Sequence, residues 1–128
     1  MKLNQVTMPS TDVARAVEFY KQLGLVLIVL SLPKYARFVC PDGEATFSIH
    51  HYPSLAPGEK PVVYFECENL DNAVEELARK GVKFESEPRD QPWLWREAYL
   101  RDPDGNEICL YHAGKNRLNP PWRLQSEA

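Results

Sequence analysis

Apolar side chains recur along this chain with two periods. Between Asp12 and Leu23, the residues Val13, Ala16, Val17, Tyr20 and Leu23 fall at helical spacing and gather on one face. Asp12 is placed to cap the start of this helix and Gly24 to end it. From Asn69 to Lys80 the plan returns: Leu70, Ala73, Val74, Leu77 and Ala78 share a face, Glu75/Arg79 and Glu76/Lys80 pair on the other, and Gly81 closes the segment. Strand-like segments, apolar and polar in alternation, surround each helix. Gln5–Met8 precedes the first and Val62–Phe65 the second; Leu25–Leu30, Tyr35–Cys40 and Ala45–His51 follow the first, and Val82–Ser86, Arg96–Arg101 and Glu107–His112 follow the second.

The two helices are offset by 57 positions, Asp12 to Asn69, and the same offset carries Ala16 onto Ala73, Val17 onto Val74 and Gly24 onto Gly81. Matches at one fixed offset argue for duplication. Each half also holds a Pro-Asp-Gly turn, at Pro41-Asp42-Gly43 and at Pro103-Asp104-Gly105, whose residues suit a hairpin. The expected fold class is therefore α+β: tandem βαβββ modules forming a curved antiparallel sheet with a cleft. Module one is expected over 1–52, a linker over 53–61 and module two over 62–115, together one domain over 1–115, with a C-terminal tail over 116–128.

Alternation along a strand assigns each side chain to a face. Val6, Met8, Phe47, Ile49, Val63, Phe65, Cys67, Ile108 and Leu110 form apolar rows suited to packing under the helices. Gln5, Thr7, Ser48, His50, Val62, Tyr64, Glu66, Cys109 and Tyr111 then face the other way, joined by Tyr35 and Arg37 from module one and Glu97 and Tyr99 from module two. So mixed a surface suits a ligand cleft, or at the least a wet face.

Composition narrows the functional classes. A chain of 128 residues, 44% hydrophobic and 26% charged, is long enough for one core and short for two independent ones. Its net charge is −3 and the charges are interspersed, so no basic stripe exists for phosphates, and nucleic acid is not an expected partner. The apolar run Leu23–Leu30 is far shorter than the roughly 20 residues that span a bilayer. With no signal-peptide pattern at Met1–Gln5, the expectation is a cytoplasmic protein without a membrane partner. The three cysteines, Cys40, Cys67 and Cys109, lack C-x-x-C spacing and read as reduced thiols.

The run Asp102-Pro-Asp-Gly-Asn-Glu-Ile-Cys-Leu110 is similar to the D-P-D-G-N-x-I-x-L ending of the vicinal oxygen chelate superfamily. Leu3–Met8 running into Asp12, Glu18-Phe-Tyr20 and Leu23-Gly24 resembles that family's opening strand and helix. The resemblance spans residues 3–112. It implies the glyoxalase, bleomycin resistance and dioxygenase fold, a homodimer, and, in metal-dependent members, one ligand on the first and last strand of each module. Those positions are Gln5, Ser48, Val62 and Cys109, of which only Gln5 is a type the family uses, so the expected cofactor is none. The alternative is a displaced site for a divalent metal such as Zn, Ni or Fe, built from Gln5, His50 and Glu66. It asks a ligand to move by roughly 13 Å along a strand.

Other candidates carry two readings each. His50 suits metal or acid–base chemistry, or a solvated surface, with His51 on the opposite face. Glu66 is a base beside Tyr64 or a solvated carboxylate; Arg37 is a clamp for an anionic substrate or half of a surface ion pair. Cys109 is a nucleophile or a small packed residue. Trp93 and Trp95, in the proline-stiffened segment Glu87–Glu97, form a lid over a flat ligand or a dimer contact.

Two functions follow. The first is a small-molecule-binding protein without the family's usual metal site, resembling the bleomycin-resistance branch. The second is a glyoxalase-like lyase, isomerase or dioxygenase, in which a metal chelates two adjacent substrate oxygens and His50, Glu66 and Tyr64 serve it.

Overall fold

A computed structural model of the chain describes residues 2–58 and 60–124. Met1, Glu59 of the expected linker and residues 125–128 of the expected tail lie outside the described residues. The elements run β1 (Gln5–Ser10), α1 (Val13–Gln22), β2 (Val26–Ser31), β3 (Tyr35–Val39), β4 (Thr46–His51), β5 (Val63–Glu66), α2 (Leu70–Arg79), β6 (Arg89–Asp90), β7 (Arg96–Arg101) and β8 (Glu107–His112). Among the described residues no helix is long and apolar enough to cross a membrane.

Both helices begin where capping chemistry places them. The Asp12 carboxylate accepts from the Arg15 amide at 3.1 Å and the Asn69 side-chain oxygen accepts from the Asn72 amide at 3.2 Å, each cap contributing about 1 kcal/mol. Both end before a glycine in the left-handed region, Gly24 at φ +103° and Gly81 at φ +94°, where a side chain is disfavoured.

Two four-stranded sheets form, ordered β1-β4-β3-β2 and β5-β8-β7-β6. They correct the expected single antiparallel sheet, because β1 pairs with β4, and β5 with β8, in parallel. The reason lies in connectivity. After β1 the helix turns the chain back, β2 resumes the direction of β1, and two hairpins restore that direction in β4. The second sheet also differs from expectation at Val82–Ser86, which is no strand and meets β7 at the isolated bridge Phe84–Leu100 and through the Glu85 amide, which donates to the Tyr99 carbonyl. There the Ser86 hydroxyl accepts the Tyr99 amide at 3.0 Å, taking a backbone donor, and Pro88 has no amide to continue a ladder. Arg89–Asp90 supplies the fourth strand.

The chain divides into two compact units. One comprises the chain up to Pro61 with Arg101–Asn106; the other comprises Val62–Leu100 and the chain from Glu107. In the first, Val13, Ala16, Val17 and Tyr20 of α1 are buried together with Met8, Ala36, Phe38, Phe47 and Ile49 of the sheet. The Tyr20 ring lies 4.6 Å from that of Phe47, and each such buried apolar side chain stabilises by about 1.5–3 kcal/mol. Val6, expected beside Met8, is 38% exposed because β1 is an edge strand.

The Tyr20 hydroxyl is carried into this core and needs an acceptor, which Asp102 supplies at 2.7 Å. The other Asp102 oxygen accepts the amides of Asp104 and Asn106, and the Asn106 side-chain amide donates both to Asp102 and to the Pro9 carbonyl. Asp104 accepts from the amide and hydroxyl of Thr11 at 2.7 Å each. The Asp-Pro-Asp-Gly-Asn run is thus a polar knot anchored at its two ends by the buried Asp102 and Asn106.

In the second unit Leu70 and Leu77 of α2 are buried with Val82, Ala98, Leu100, Ile108 and Leu110. Ala78, expected on the apolar face, is exposed, and Val63, Phe65 and Cys67 are half-buried because β5 is again an edge.

Candidate functional site

The open face of the first sheet is polar. Register places Thr7, Ser48 and Arg37 side by side across β1, β4 and β3, and Tyr35 opposite His50. Tyr35 joins this row together: its hydroxyl lies 2.8 Å from Ser48 Oγ and accepts Arg37 Nε–H at 2.9 Å. Partial burial opposes ionisation of Tyr35, but the hydrogen bonds from Ser48 and Arg37 and the guanidinium charge outweigh it and leave the hydroxyl below the usual phenol range. The His50 ring packs edge-on to those of Tyr35 and Tyr52, at 6.4 and 5.5 Å. Gln5 is exposed, with its side-chain oxygen accepting from the Thr46 hydroxyl at 2.9 Å.

The open face of the second sheet is aromatic. Trp95 stacks on Tyr111, with centroids 4.5 Å apart and planes 14° from parallel, and Tyr64 stands edge-on to both at 6.0 and 5.7 Å. Cys109, Tyr111 and Ala113 are buried, with Val62, Trp95 and Tyr99 packed against them. Beside them Glu97, 3% exposed, accepts Trp93 Nε1–H and the Tyr99 hydroxyl, each at 3.0 Å. Burial first, then the Glu97 carboxylate, raises Tyr99 far above the usual phenol range and pushes the Cys109 thiol up to about 12. Burial and then Glu66 raise Tyr111 as well.

Trp93 and Trp95 reach this face through a tight hairpin between β6 and β7. The Gln91 amide donates to the Trp95 carbonyl and the Leu94 amide to the Gln91 carbonyl, with Leu94 at φ +67°, a conformation glycine adopts more readily. The two expected lid residues therefore lie folded onto the face of their own sheet, where Trp95 covers Tyr111.

At the end of β5, Glu66 accepts the amides of Ala113 and Gly114 at 2.8 and 2.9 Å, with His112 and Arg117 near. Partial burial works against ionisation, yet these donors and charges hold the carboxyl below its ordinary range. Oε2 is committed to these two backbone amides, while Oε1 lies 3.9 Å from Arg117 Nε. That arrangement is not legible in the sequence, since backbone donors leave no residue pattern; on the first sheet the structure adds Tyr52, two residues after His50, through its ring contact.

Residues 2–110 match the model of the Glyoxalase/Bleomycin resistance protein/Dioxygenase superfamily. The chain belongs to this superfamily. It is 35% identical over 127 residues to the uncharacterized protein YraH of Bacillus subtilis strain 168, covering 87% of this chain and 98% of that one. Among solved structures it resembles a superfamily member from Nocardioides, at 26% identity and TM-score 0.76, covering 98% of this chain and 90% of that one. It also shares the fold of a bleomycin-binding protein complexed with bleomycin, at 20% identity and TM-score 0.72, covering 88% and 98%.

The superfamily's metal-dependent members make the four strand positions worth testing on their chemistry here. Gln5 offers a neutral amide already engaged by Thr46, and Ser48 is buried in a hydrogen bond with Tyr35. Val62 has no donor atom, and Cys109, with its thiol pushed up to about 12, is not a thiolate near neutral pH. Among the described residues, no three His, Cys, Asp or Glu side chains group as metal ligands. These residues do not fit the superfamily's divalent metal.

Proposed function

We propose that this chain is a small-molecule-binding member of the superfamily, of the bleomycin-resistance type, that holds planar conjugated ligands without a metal. The observation that carries the reading is the Trp95–Tyr111–Tyr64 assembly. A stacked pair with a half-exposed third ring at right angles offers a flat wall and an edge, the arrangement that conjugated ring systems stack on. The buried Glu97 accepts from Trp93 and Tyr99 and so fixes the rings that border that wall. The resemblance to a protein solved with bleomycin supports this ligand class. Tyr64, Glu66 and Tyr99 make up the proposed ligand-facing surface, with Trp93 and Trp95 as its aromatic border and the buried Glu97, Cys109 and Tyr111 packed beneath it.

The homodimer belongs to the same proposal. Strand β2 is an open sheet edge whose Val26, Ile28 and Leu30 are each about half exposed; across the bulge at Leu27/Val29 these apolar side chains lie on both sides of the edge, which a second copy of the chain would cover. Sedimentation of the native protein and of Ile28→Lys tests this: a dimer that the substitution dissociates agrees, and a monomeric native protein does not.

For the ligand, tryptophan fluorescence followed during a bleomycin titration in the presence of EDTA is the direct test. Saturable quenching that is lost in Trp95→Ala is expected. A flat titration, or quenching that appears only when a divalent metal is added, would overturn the reading.

A further inference from the structure

The first sheet carries a cation with no anion of its own. Arg37 is half-buried on the open face, donates from Nε to the Tyr35 hydroxyl and lies over the Tyr35 ring at 5.5 Å, and it makes no ion pair among the described residues. The register fixes its neighbours. Gln5 and Thr7 of β1, Thr46, Ser48 and His50 of β4, and Val29 and Ser31 of β2 share this face, and none is a carboxylate. A guanidinium has five N–H donors; with Nε committed, the two terminal nitrogens keep their fork, the geometry that receives a carboxylate in two parallel hydrogen bonds.

Tyr35 completes the arrangement. Its oxygen accepts Arg37 Nε–H, and when the buried Ser48 hydroxyl also donates to it, the phenolic proton is left to point outward as a further donor. Ser48, fully buried, anchors the tyrosine from below. Beyond this donor set the face turns aromatic, with His50 edge-on to Tyr35 and then Tyr52, 50% exposed, edge-on to His50. Anion donors at one end and exposed rings at the other match a ligand with an anionic head on an aromatic body.

We propose that Arg37 and Tyr35 form a binding site for the carboxylate of an aromatic acid, whose ring lies along His50 and Tyr52. The site is confined to the first sheet and does not depend on the aromatic wall of the second. Ser48 is a positioning residue here, and Arg37 and Tyr35 are the contacts. The carboxylate is chosen over a free phosphate because the rings would be idle with a bare oxyanion.

Calorimetric titration of the full chain with benzoate tests the proposal, with benzamide as the neutral isostere and inorganic phosphate as the ring-free anion. Saturable benzoate binding at millimolar concentration is expected, with benzamide and phosphate each weaker by roughly 10-fold or more, since a charge-assisted pair or a ring contact is lost. Arg37→Gln should weaken benzoate by roughly 10- to 100-fold and Tyr35→Phe by less, the melting temperature of each showing that it is folded. In protein labelled at the tyrosine Cζ carbon, benzoate should move the Tyr35 resonance. No benzoate binding, benzamide binding as tightly as benzoate, phosphate binding in preference to benzoate, or unchanged affinity in folded Arg37→Gln would each overturn the site. The isostere comparison uses the unaltered protein, so the test survives if a variant fails to fold.

Discussion

The two sheets share one topology and carry opposite chemistry. In both, the first and last strands of the repeat pair in parallel, and the central position of the last strand holds a small buried residue, Ser48 in one and Cys109 in the other. Around Ser48 the neighbours are Thr7, Tyr35 and Arg37, a hydrogen-bonded polar row. Around Cys109 they are Tyr64, Tyr99, Tyr111 and Trp95, an aromatic enclosure. Both halves keep what the backbone needs, namely helix caps, helix-ending glycines and the parallel pairing of first and last strands. The open faces, on which folding places fewer demands, differ: one is a hydrogen-bonded polar row and the other an aromatic enclosure.

The same contrast appears in the two Pro-Asp-Gly turns, and there the largest effect is expected. Asp102, before the second turn, serves Tyr20, Asp104 and Asn106 from a buried position, whereas Asp42 of the first is exposed. Asp102→Ala leaves several buried donors without acceptors and should cost roughly 4 kcal/mol, against at most about 0.5 kcal/mol for Asp42→Ala. Urea denaturation of the two variants measures the difference, and equal losses would show the turns to be equivalent.

Next in size is the phase of the second sheet. Phe65, half-buried on the helix side of an edge strand, should cost about 2–3 kcal/mol on replacement by alanine, somewhat below a fully buried ring. Tyr64, 46% exposed and touching Trp95 and Tyr111 only edge-on, should cost about 1 kcal/mol. A reversed order in thermal denaturation would exchange core and ligand face.

Cysteine chemistry sharpens the comparison further. Cys109 is fully buried and its thiol is pushed up to about 12, so native protein near neutral pH should leave it unalkylated while Cys40 and Cys67, both half-buried, react first. Peptide mapping after brief iodoacetamide treatment reads this directly, and early labelling at Cys109 would mean that the aromatic enclosure opens.

The smallest expected effect is on pH dependence. Burial opposes ionisation of Asp104, but Ser10, the Thr11 amide and hydroxyl, and Arg15 hold its carboxyl below the ordinary range. A depressed folded-state pKa contributes stability that is fully present above the unfolded value of about 3.9 and is lost as pH falls through the folded value. The stability gap between the native protein and Asp104→Asn should therefore be constant near neutrality and narrow below about pH 4. A gap that stays constant through acid unfolding would remove this role.

Periodicity made the architecture legible. Apolar residues at helical spacing, with Asp12 and Asn69 before them and Gly24 and Gly81 behind, placed both helices to within a residue or two at each end. The parallel edge pairs were implicit in the same element order, yet alternation within a strand does not report the direction of its neighbour. Strand phase brought Tyr35, Arg37, Ser48 and His50 onto one face, and Tyr64, Tyr99, Cys109 and Tyr111 onto another, but burial within a face was not legible. Whether Cys109 is open or covered depends on a hairpin, Gln91–Trp95, that folds back through Leu94 in a conformation no residue pattern announced. The role of Glu66 was hidden for a similar reason, because its partners are the backbone amides of Ala113 and Gly114.

The central claim is that the superfamily scaffold here serves ligand binding without its divalent metal. Elemental analysis of protein purified without a metal-affinity tag tests it most directly, paired with melting temperatures on addition of Zn, Ni, Fe, Mn or Co. Occupancy of the native state by a specific metal stabilises it by mass action. The account predicts substoichiometric metal and an unchanged melting temperature; one equivalent of bound metal that disappears in Gln5→Ala would contradict it.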